Sequence, residues 1–231
     1  MGAGVFITGT GTDVGKTYIS GLLLKKLHEA GRDAVYYKAA MSGNERGEDG
    51  TLIPGDALHV KSVSGISQEL GEMCPYVYET AVSPHLAAKL EGSPVELERV
   101  VEGFEKLSTA HEIVIAEGSG GIVCPIRYDK NKIMLEDIVK AFGLDCIIVA
   151  DAGLGTINHV VLTNEYLKAR GIKVRGIILN NYIYGDLMHR DNKQMCSLLT
   201  GLEVLACVRA GEQDIKIDAQ KLEAICKGEK E

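Results

Sequence analysis

The sequence predicts an α/β fold, a mostly parallel sheet with helices on both faces, and three observations carry that prediction. Apolar runs recur at 5–8, 34–37, 113–116, 146–150, 176–179 and 204–208, most of them separated by segments of helical period. Near-continuous apolar strands alternating with amphipathic helices belong to a parallel sheet covered on both faces. The first run leads directly into Gly9-Thr10-Gly11-Thr12-Asp13-Val14-Gly15-Lys16-Thr17 and then a helical pattern, the layout of a phosphate-binding loop. Finally, several runs end on a polar residue, Lys38, Glu117, Asp151 or Asn180, at the strand ends where open α/β sheets take their ligands.

The bulk numbers agree. A chain of 231 residues, 45% hydrophobic and 25% charged, is long enough for one well-buried core and short for two, so residues 1–231 are expected to form a single domain. A formal charge of −7 with dispersed lysines and arginines argues against a nucleic-acid surface, which depends on clustered cations. Six cysteines, with no C-x-x-C pair and several inside apolar runs, read as reduced core residues of a cytosolic protein. No stretch approaches the length of a membrane span, and no apolar leader precedes the loop, so a soluble cytoplasmic protein is expected.

In chain order, the loop comes first. A strand must turn sharply into a helix with its N–H groups aimed at an anion, and glycines permit the turn. Lys16 then reaches the β- and γ-phosphates, and the Thr17 hydroxyl can ligate Mg²⁺. The usual G-x-x-x-x-G-K-[ST] pattern has glycine where this chain has Thr10, so it is met only by counting from Gly9, one residue longer. The context strengthens it: Ile19, Leu22, Leu23 and Leu27 fall at helical spacing across 18–30, and Gly31 stands where a helix ends. A P-loop NTPase-like fold follows. A dinucleotide site would need G-x-G-x-x-G and an acidic residue closing the second strand, whereas Gly11 is followed by Val14 and the second strand closes with Lys38. Partition-type ATPases resemble this loop but carry a further lysine where this chain has Gly11.

Residues 42–50 are polar, rich in glycine and without periodicity, and are expected to form a mobile loop beside the site. A short helix follows Pro54-Gly55-Asp56, with Asp56 a natural N-cap. Ser83-Pro84-His85 reads as an N-cap serine with proline at the first helical position. Helices over 95–109 and 134–142 read as packing elements, and the charged tail 227–231 reads as frayed.

For chemistry, Mg²⁺-assisted phosphoryl transfer needs a strand-end carboxylate opposite the loop hydroxyl. Glu117, running into Gly118-Ser119-Gly120-Gly121, and Asp151, before Gly153-Leu154-Gly155, both qualify, and the sequence barely separates them. A serine-hydrolase reading of Gly118-Ser119-Gly120 fails on spacing, since G-x-S-x-G would need glycine at Glu117. His28 and His111 sit at a helix end and in a loop, where a solvated histidine is ordinary. Lys38 ends the second strand near the phosphates, which is equally consistent with a lysine reaching to solvent.

Taken together, the loop, Tyr37-Lys38 followed by Ser42-Gly43, Gly55-Asp56-Ala57, Ser83-Pro84-His85, Glu117-Gly118-Ser119-Gly120-Gly121 and Leu154-Gly155-Thr156-Ile157-Asn158-His159 resemble the dethiobiotin synthetases over nearly the whole chain. The resemblance implies ATP-dependent closure of a ureido ring, in which 7,8-diaminononanoate takes up CO₂ as a carbamate, the carbamate is phosphorylated, and the second amine displaces phosphate. It implies that Thr17, Asp56 and Glu117 gather Mg²⁺, that Lys16 and Lys38, with Thr12, attend the reacting groups, and that Ser42, Ser83 and Gly120 touch the diamine and carbamate. The nucleotide would meet Thr12, Asp13, Val14, Gly15, Lys16, Thr17 and Tyr18, with Asn180, Val208 and Arg209 at the base. The helix starting after Gly155, residues 157–169, offers free N–H groups to a carboxylate. The resemblance places that start, with Leu154, Gly155, Thr156, Ile157 and Asn158, across a two-fold interface, so a homodimer with shared sites is implied. One departure concerns the base: Arg209 stands where relatives often have proline. Two rivals remain, a partition-type nucleotide switch, against which Gly11 counts, and a cobyrinic acid a,c-diamide synthase-like ligase, which normally adds a glutamine-hydrolysing domain that this length does not hold.

Overall fold

The apolar runs become the strands of one sheet. The computed structural model describes residues 2–229. In chain order the elements are β1 (Ala3–Gly9), α1 (Lys16–Glu29), β2 (Ala34–Lys38), α2 (Gly55–Ser64), α3 (Leu70–Met73), α4 (Pro84–Leu90), α5 (Leu97–Ala110), β3 (Ile113–Glu117), β4 (Pro125–Tyr128), β5 (Lys132–Met134), α6 (Leu135–Phe142), β6 (Cys146–Asp151), α7 (Thr156–Ala169), β7 (Val174–Asn180), α8 (Leu187–Thr200), β8 (Val204–Cys207) and α9 (Ala219–Cys226). Six strands pair in parallel in the order β2-β3-β1-β6-β7-β8. Because β3 lies on one side of β1 and β6 on the other, the loop after β1 opens at the point where the strand order reverses, the place where open sheets form a ligand crevice.

Strand parity separates the two faces. Phe6, Val35, Tyr37, Val114, Ala116 and Ile148 point into one cluster, which α5 and α6 complete through Phe104, Leu107 and Phe142. Phe104 and Phe142 stack at 4.0 Å between ring centroids, and Tyr37 packs on Phe142 at 5.9 Å. The alternate residues, Val5, Ile7, Tyr36, Ile115, Ile147 and Val149, point into the opposite cluster, closed by Leu23 and Leu27 of α1, Val60 of α2 and Leu222 of α9. All six cysteines are free and buried. No helix among the described residues is long and apolar enough to cross a membrane.

β2 is an edge strand, so its outer N–H and C=O groups need partners other than a neighbouring strand. At Tyr36 a side-chain amide takes that place: the Tyr36 N–H donates to Gln68 Oε1 at 2.8 Å, and Gln68 Nε2 donates to the Tyr36 carbonyl at 3.0 Å.

Several local expectations need correction. Asp56 is not the N-cap of α2; Pro54 is, and Asp56 sits in the first turn with its carboxylate turned toward Lys38. Residues 42–50 are not free of structure. Arg46 and Leu52 face each other in an antiparallel bridge, the Gly47 N–H donates to the Thr51 carbonyl, and the Arg46 guanidinium donates twice to Glu79. The buried Asn44 ties this turn to the Tyr78 carbonyl and to the N–H of Gly55. The antiparallel hairpin β4–β5 and the one-turn α3 are elements that the apolar pattern does not announce, since neither presents a full period. Ser83 caps α4 with Pro84 at its start, as expected, although its side chain makes no capping bond. In the tail, Lys227 closes α9, while Lys230 and Glu231 lie outside the described residues.

Candidate active site

The loop between β1 and α1 is shaped by two left-handed residues, Asp13 at φ 59° and Gly15 at φ 93°. At Gly15 no side chain is tolerated, because a Cβ would lie 2.1 Å from Asn180 Nδ2. That amide donates to the Val14 carbonyl at 3.1 Å, so the end of β7 holds the loop. Lys16, buried at the start of α1, donates to the Gly11 carbonyl at 2.8 Å. Burial pushes its pKa down, and the charge of Lys38 adds to the effect.

Beneath the loop, the register of the sheet assembles a charged cluster. Lys38 and Glu117 are direct partners at the ends of β2 and β3. The Lys38 ammonium donates to Glu117 Oε1 at 2.7 Å and to Asp56 Oδ2 at 2.6 Å, and the Thr17 hydroxyl donates to Glu117 Oε1 at 2.8 Å. The Lys38 and Glu117 side chains are 6% and 0% exposed, and that of Asp56 is 42% exposed. Burial alone would lower the pKa of Lys38, but the two carboxylates, Glu117 more than Asp56, outweigh it and raise it. Burial would raise the Asp56 pKa, and the Lys38 ammonium overcomes this to hold it below the ordinary carboxylate value. Tyr36, two residues before Lys38 on the same face, donates its hydroxyl to Glu117 Oε2 at 3.0 Å.

This geometry separates the two strand-end carboxylates. Glu117 touches the loop hydroxyl, whereas Asp151 is exposed and occupied in its own turn, accepting from the Gly153 N–H at 2.8 Å and from Asn181 Nδ2 at 2.7 Å. One hydroxyl and two carboxylates, all hard oxygen donors, suit Mg²⁺, which takes few protein ligands and fills its octahedron with waters and phosphate oxygens. Among the described residues no group of three His, Cys, Asp or Glu is disposed to hold a metal alone.

A cleft of about 1060 Å³ opens over the cluster. Thr12, Asp13, Gly15, Lys16, Thr17 and Tyr18 line one side, and Lys38, Ser42, Asp56, Ser83, Glu117 and Gly120 the other. The Ser42 hydroxyl donates to the Val82 carbonyl at 2.6 Å and that of Ser119 to the Ala40 carbonyl at 2.8 Å, so the two wall loops are tied down. The remaining expected residues fall elsewhere. Asn180 reaches the loop from behind, and its buried Oδ1 has no partner among the described residues. The Val208 N–H donates to Leu179 and its carbonyl accepts from Tyr182. Arg209 lies over the Tyr184 ring, 4.5 Å from its centroid, with its N–H on the Glu212 carboxylate at 2.9 Å. Tyr18 also donates to the Glu212 carbonyl, which joins this segment to the loop.

Leu154, Gly155, Thr156, Ile157 and Asn158 do not line the cleft. Gly155, at φ 91°, caps α7, which begins at Thr156 rather than at 157. Leu154 and Thr156 border a separate recess of about 270 Å³ shared with Thr10, Gly11, Thr12 and Val14. Leu154 is 90% exposed, and the Thr156 hydroxyl is buried without a partner among the described residues.

Comparison with known proteins separates the candidate families. The family model described as an AAA domain matches residues 3–213. The ATP-dependent dethiobiotin synthetase BioD of Clostridium perfringens (strain 13) is 45% identical over 228 residues, 99% of this chain and all of that protein. The enzyme of the same name from Clostridium botulinum (strain 657) is 47% identical over 96% of this chain and 97% of its own, and that from Brachyspira hyodysenteriae 44% over 97% and 99%. The chain belongs to the ATP-dependent dethiobiotin synthetase family. Among solved structures, the MinC:MinD complex of Aquifex aeolicus matches with a TM-score of 0.55 at 13% identity, covering 90% of this chain and 81% of that one. The MinD protein of Pyrococcus horikoshii matches at 0.52 and 13%, covering 98% and 95%. At that identity the likeness is one of fold.

Two residues of the site went unread in the sequence. Tyr36 and Gln68 carry no motif, yet Tyr36 shares the face of Lys38 by strand parity, and that parity was the available signal.

Proposed function

We propose that this chain closes a ureido ring on 7,8-diaminononanoate with CO₂ and ATP, giving dethiobiotin, ADP and phosphate. One observation carries the reading: a buried lysine, Lys38, held between Asp56 and Glu117 directly below a phosphate-binding loop whose Thr17 bonds the same glutamate. Phosphorylating a carbamate brings negative charge together on nucleophile, phosphoryl group and leaving group, and preorganised cations offset it without an enzymic nucleophile.

One amine adds CO₂ and loses a proton, giving a carbamate. A carbamate oxygen attacks the γ-phosphorus and ADP leaves. The second amine then attacks the carbonyl carbon and gives up a proton to solvent, and phosphate departs with the former carbamate oxygen. Lys16 moves from the Gly11 carbonyl to the phosphates, and Lys38 serves the carbamate and the transferring group. When bound, Mg²⁺ offsets charge on the terminal phosphates, and Thr17, Asp56 and Glu117 would hold it. Thr12, Ser42, Ser83 and Gly120 position the diamine. The backbone of Asp13, Val14, Gly15 and Tyr18 cradles the nucleotide. Asn180, Val208 and Arg209 meet the base.

Residues 1–231 work as one domain in the cytoplasm. The protein acts as a homodimer, in which Leu154, Gly155, Thr156, Ile157 and Asn158 of one chain receive the substrate carboxylate at the start of α7, opposite the loop of the other. The Thr156 hydroxyl, buried without a partner among the described residues, and the positive dipole end of α7 support that role. Steady-state phosphate release tests the assignment: it should require diaminononanoate and bicarbonate together, and release stimulated instead by DNA or a protein partner would replace it with a nucleotide switch.

A further inference from the structure

The Glu117 carboxylate has two oxygens with different neighbours. Oε1 accepts from Thr17 and Lys38, at 2.8 and 2.7 Å, and Oε2 accepts from the Tyr36 hydroxyl at 3.0 Å. Tyr36 is fully buried at 0% exposure, beside Ile115 on the face that also carries Lys38 and Glu117. Its ring cannot drift, because its backbone is gripped on both polar groups by the buried Gln68 amide, at 2.8 and 3.0 Å, in the one amide orientation that serves both bonds. Lys61 in turn donates to the Gln68 carbonyl at 2.8 Å, which ties the same segment to α2, the helix that carries Asp56.

A carboxylate without a donor on its far oxygen can turn about its last torsion, a broad and nearly two-fold rotor. Here such a turn would let the Lys38 ammonium bridge both oxygens and draw Oε1 away from Thr17. We propose that Tyr36, fixed by Gln68, is a positioning residue that holds Glu117 with Oε1 toward the phosphate loop and thereby sets the affinity of this site for its divalent cation. The inference rests on the assignment of Thr17, Asp56 and Glu117 as the cation's ligands. Hydrogen bonds behind ligating groups are worth about 10–100-fold in metal affinity.

The experiment is titration of the full-length protein, saturated with ADP, with Mn²⁺ followed by electron paramagnetic resonance of the free ion. It compares the wild type with Tyr36→Phe, Gln68→Met and Glu117→Gln, alongside thermal unfolding of each protein without metal. Tyr36→Phe should weaken Mn²⁺ binding about tenfold, and Gln68→Met, which leaves every side chain of the site in place, should weaken it by less in the same direction. Glu117→Gln should weaken it most. If Glu117→Gln weakens binding while Tyr36→Phe leaves it unchanged or tighter, the positioning role is overturned and the ligand assignment stands. A lower melting temperature for Tyr36→Phe with unchanged Mn²⁺ affinity likewise overturns it, leaving only a structural tie. If Glu117→Gln has no effect, the ligand assignment falls and the positioning role with it.

Discussion

Replacing Lys38 with glutamine removes one charge from the centre of the site and keeps a hydrogen-bond donor. In the wild type the ammonium satisfies Glu117 and Asp56 at 2.7 and 2.6 Å. The Glu117 side chain is 0% exposed, so the loss leaves an uncompensated buried carboxylate, an event that typically costs about 3–5 kcal/mol. Asp56 is 42% exposed, and solvent screens its half of the pair to about 0–1 kcal/mol. With a neutral donor retained, the metal-free variant should be destabilised at or below the lower end of the buried-pair range. Turnover should suffer in its own right. One preorganised donor to developing negative charge is worth about 10²–10³ in kcat, while MgADP affinity, which depends on the loop and Lys16, should be largely unchanged. The assays are phosphate release with saturating diaminononanoate and bicarbonate, and calorimetric titration of MgADP. Turnover near that of the wild type with intact nucleotide binding would refute the role of Lys38 and the charge argument behind it.

Other outcomes follow from the same geometry. The folded pKa of Asp56 lies below its unfolded value, so the stability it contributes is present above about pH 4 and is lost as pH falls through the folded value; thermal unfolding of metal-free protein from about pH 6 downward should show a loss that Lys38→Gln reduces, and parallel curves would contradict it. Gly15→Ala places a methyl 2.1 Å from Asn180 Nδ2 at φ 93°, adding about 1–2 kcal/mol of backbone strain to the clash, and should abolish MgADP binding; normal affinity by calorimetry would refute the fit. With Asn180 at the end of β7 and Arg209 over the Tyr184 ring, ATP should be preferred but GTP should support measurable turnover, and no activity at saturating GTP would count against this. Lys16→Ala and Thr156→Asp homodimers should each be nearly inactive, yet mixing them after verified subunit exchange should restore about a quarter of wild-type activity, because half the dimers are mixed and each has one intact site; no recovery would mean that loop and carboxylate pocket belong to one chain.

What the sequence disclosed was whatever periodicity and strand ends encode. The parallel strands were legible because both faces are buried, and Lys38 and Glu117 because each ends a strand on the ligand-bearing edge. The choice between Glu117 and Asp151 was not legible from the residues alone, since β3 and β6 both flank β1. What separates them is that Glu117 meets the Thr17 hydroxyl while Asp151 is taken up in its own turn, and both are long-range or three-dimensional facts. Asp56 was read as a cap because its local setting, after Pro54-Gly55, resembles one; only the packing of α2 against α1 and β2 turns it toward Lys38. The β4–β5 hairpin and the bridge between Arg46 and Leu52 escaped because pairings of four residues or fewer are too short to show a strand period. Gln68 could not be found at all from local pattern, because its two bonds complete an edge strand thirty-two residues away in sequence.

The central claim is that ATP phosphorylates a carbamate whose oxygen then leaves with the phosphate. Turnover started with ¹⁸O-labelled CO₂ in unlabelled water, with diaminononanoate and ATP, and stopped before label exchanges with solvent, tests it directly by mass spectrometry of both products. One labelled oxygen should appear in the phosphate and one in the ureido carbonyl of dethiobiotin. Phosphate that carries only an oxygen from water would mean that ATP is simply hydrolysed at this site, and would contradict the account.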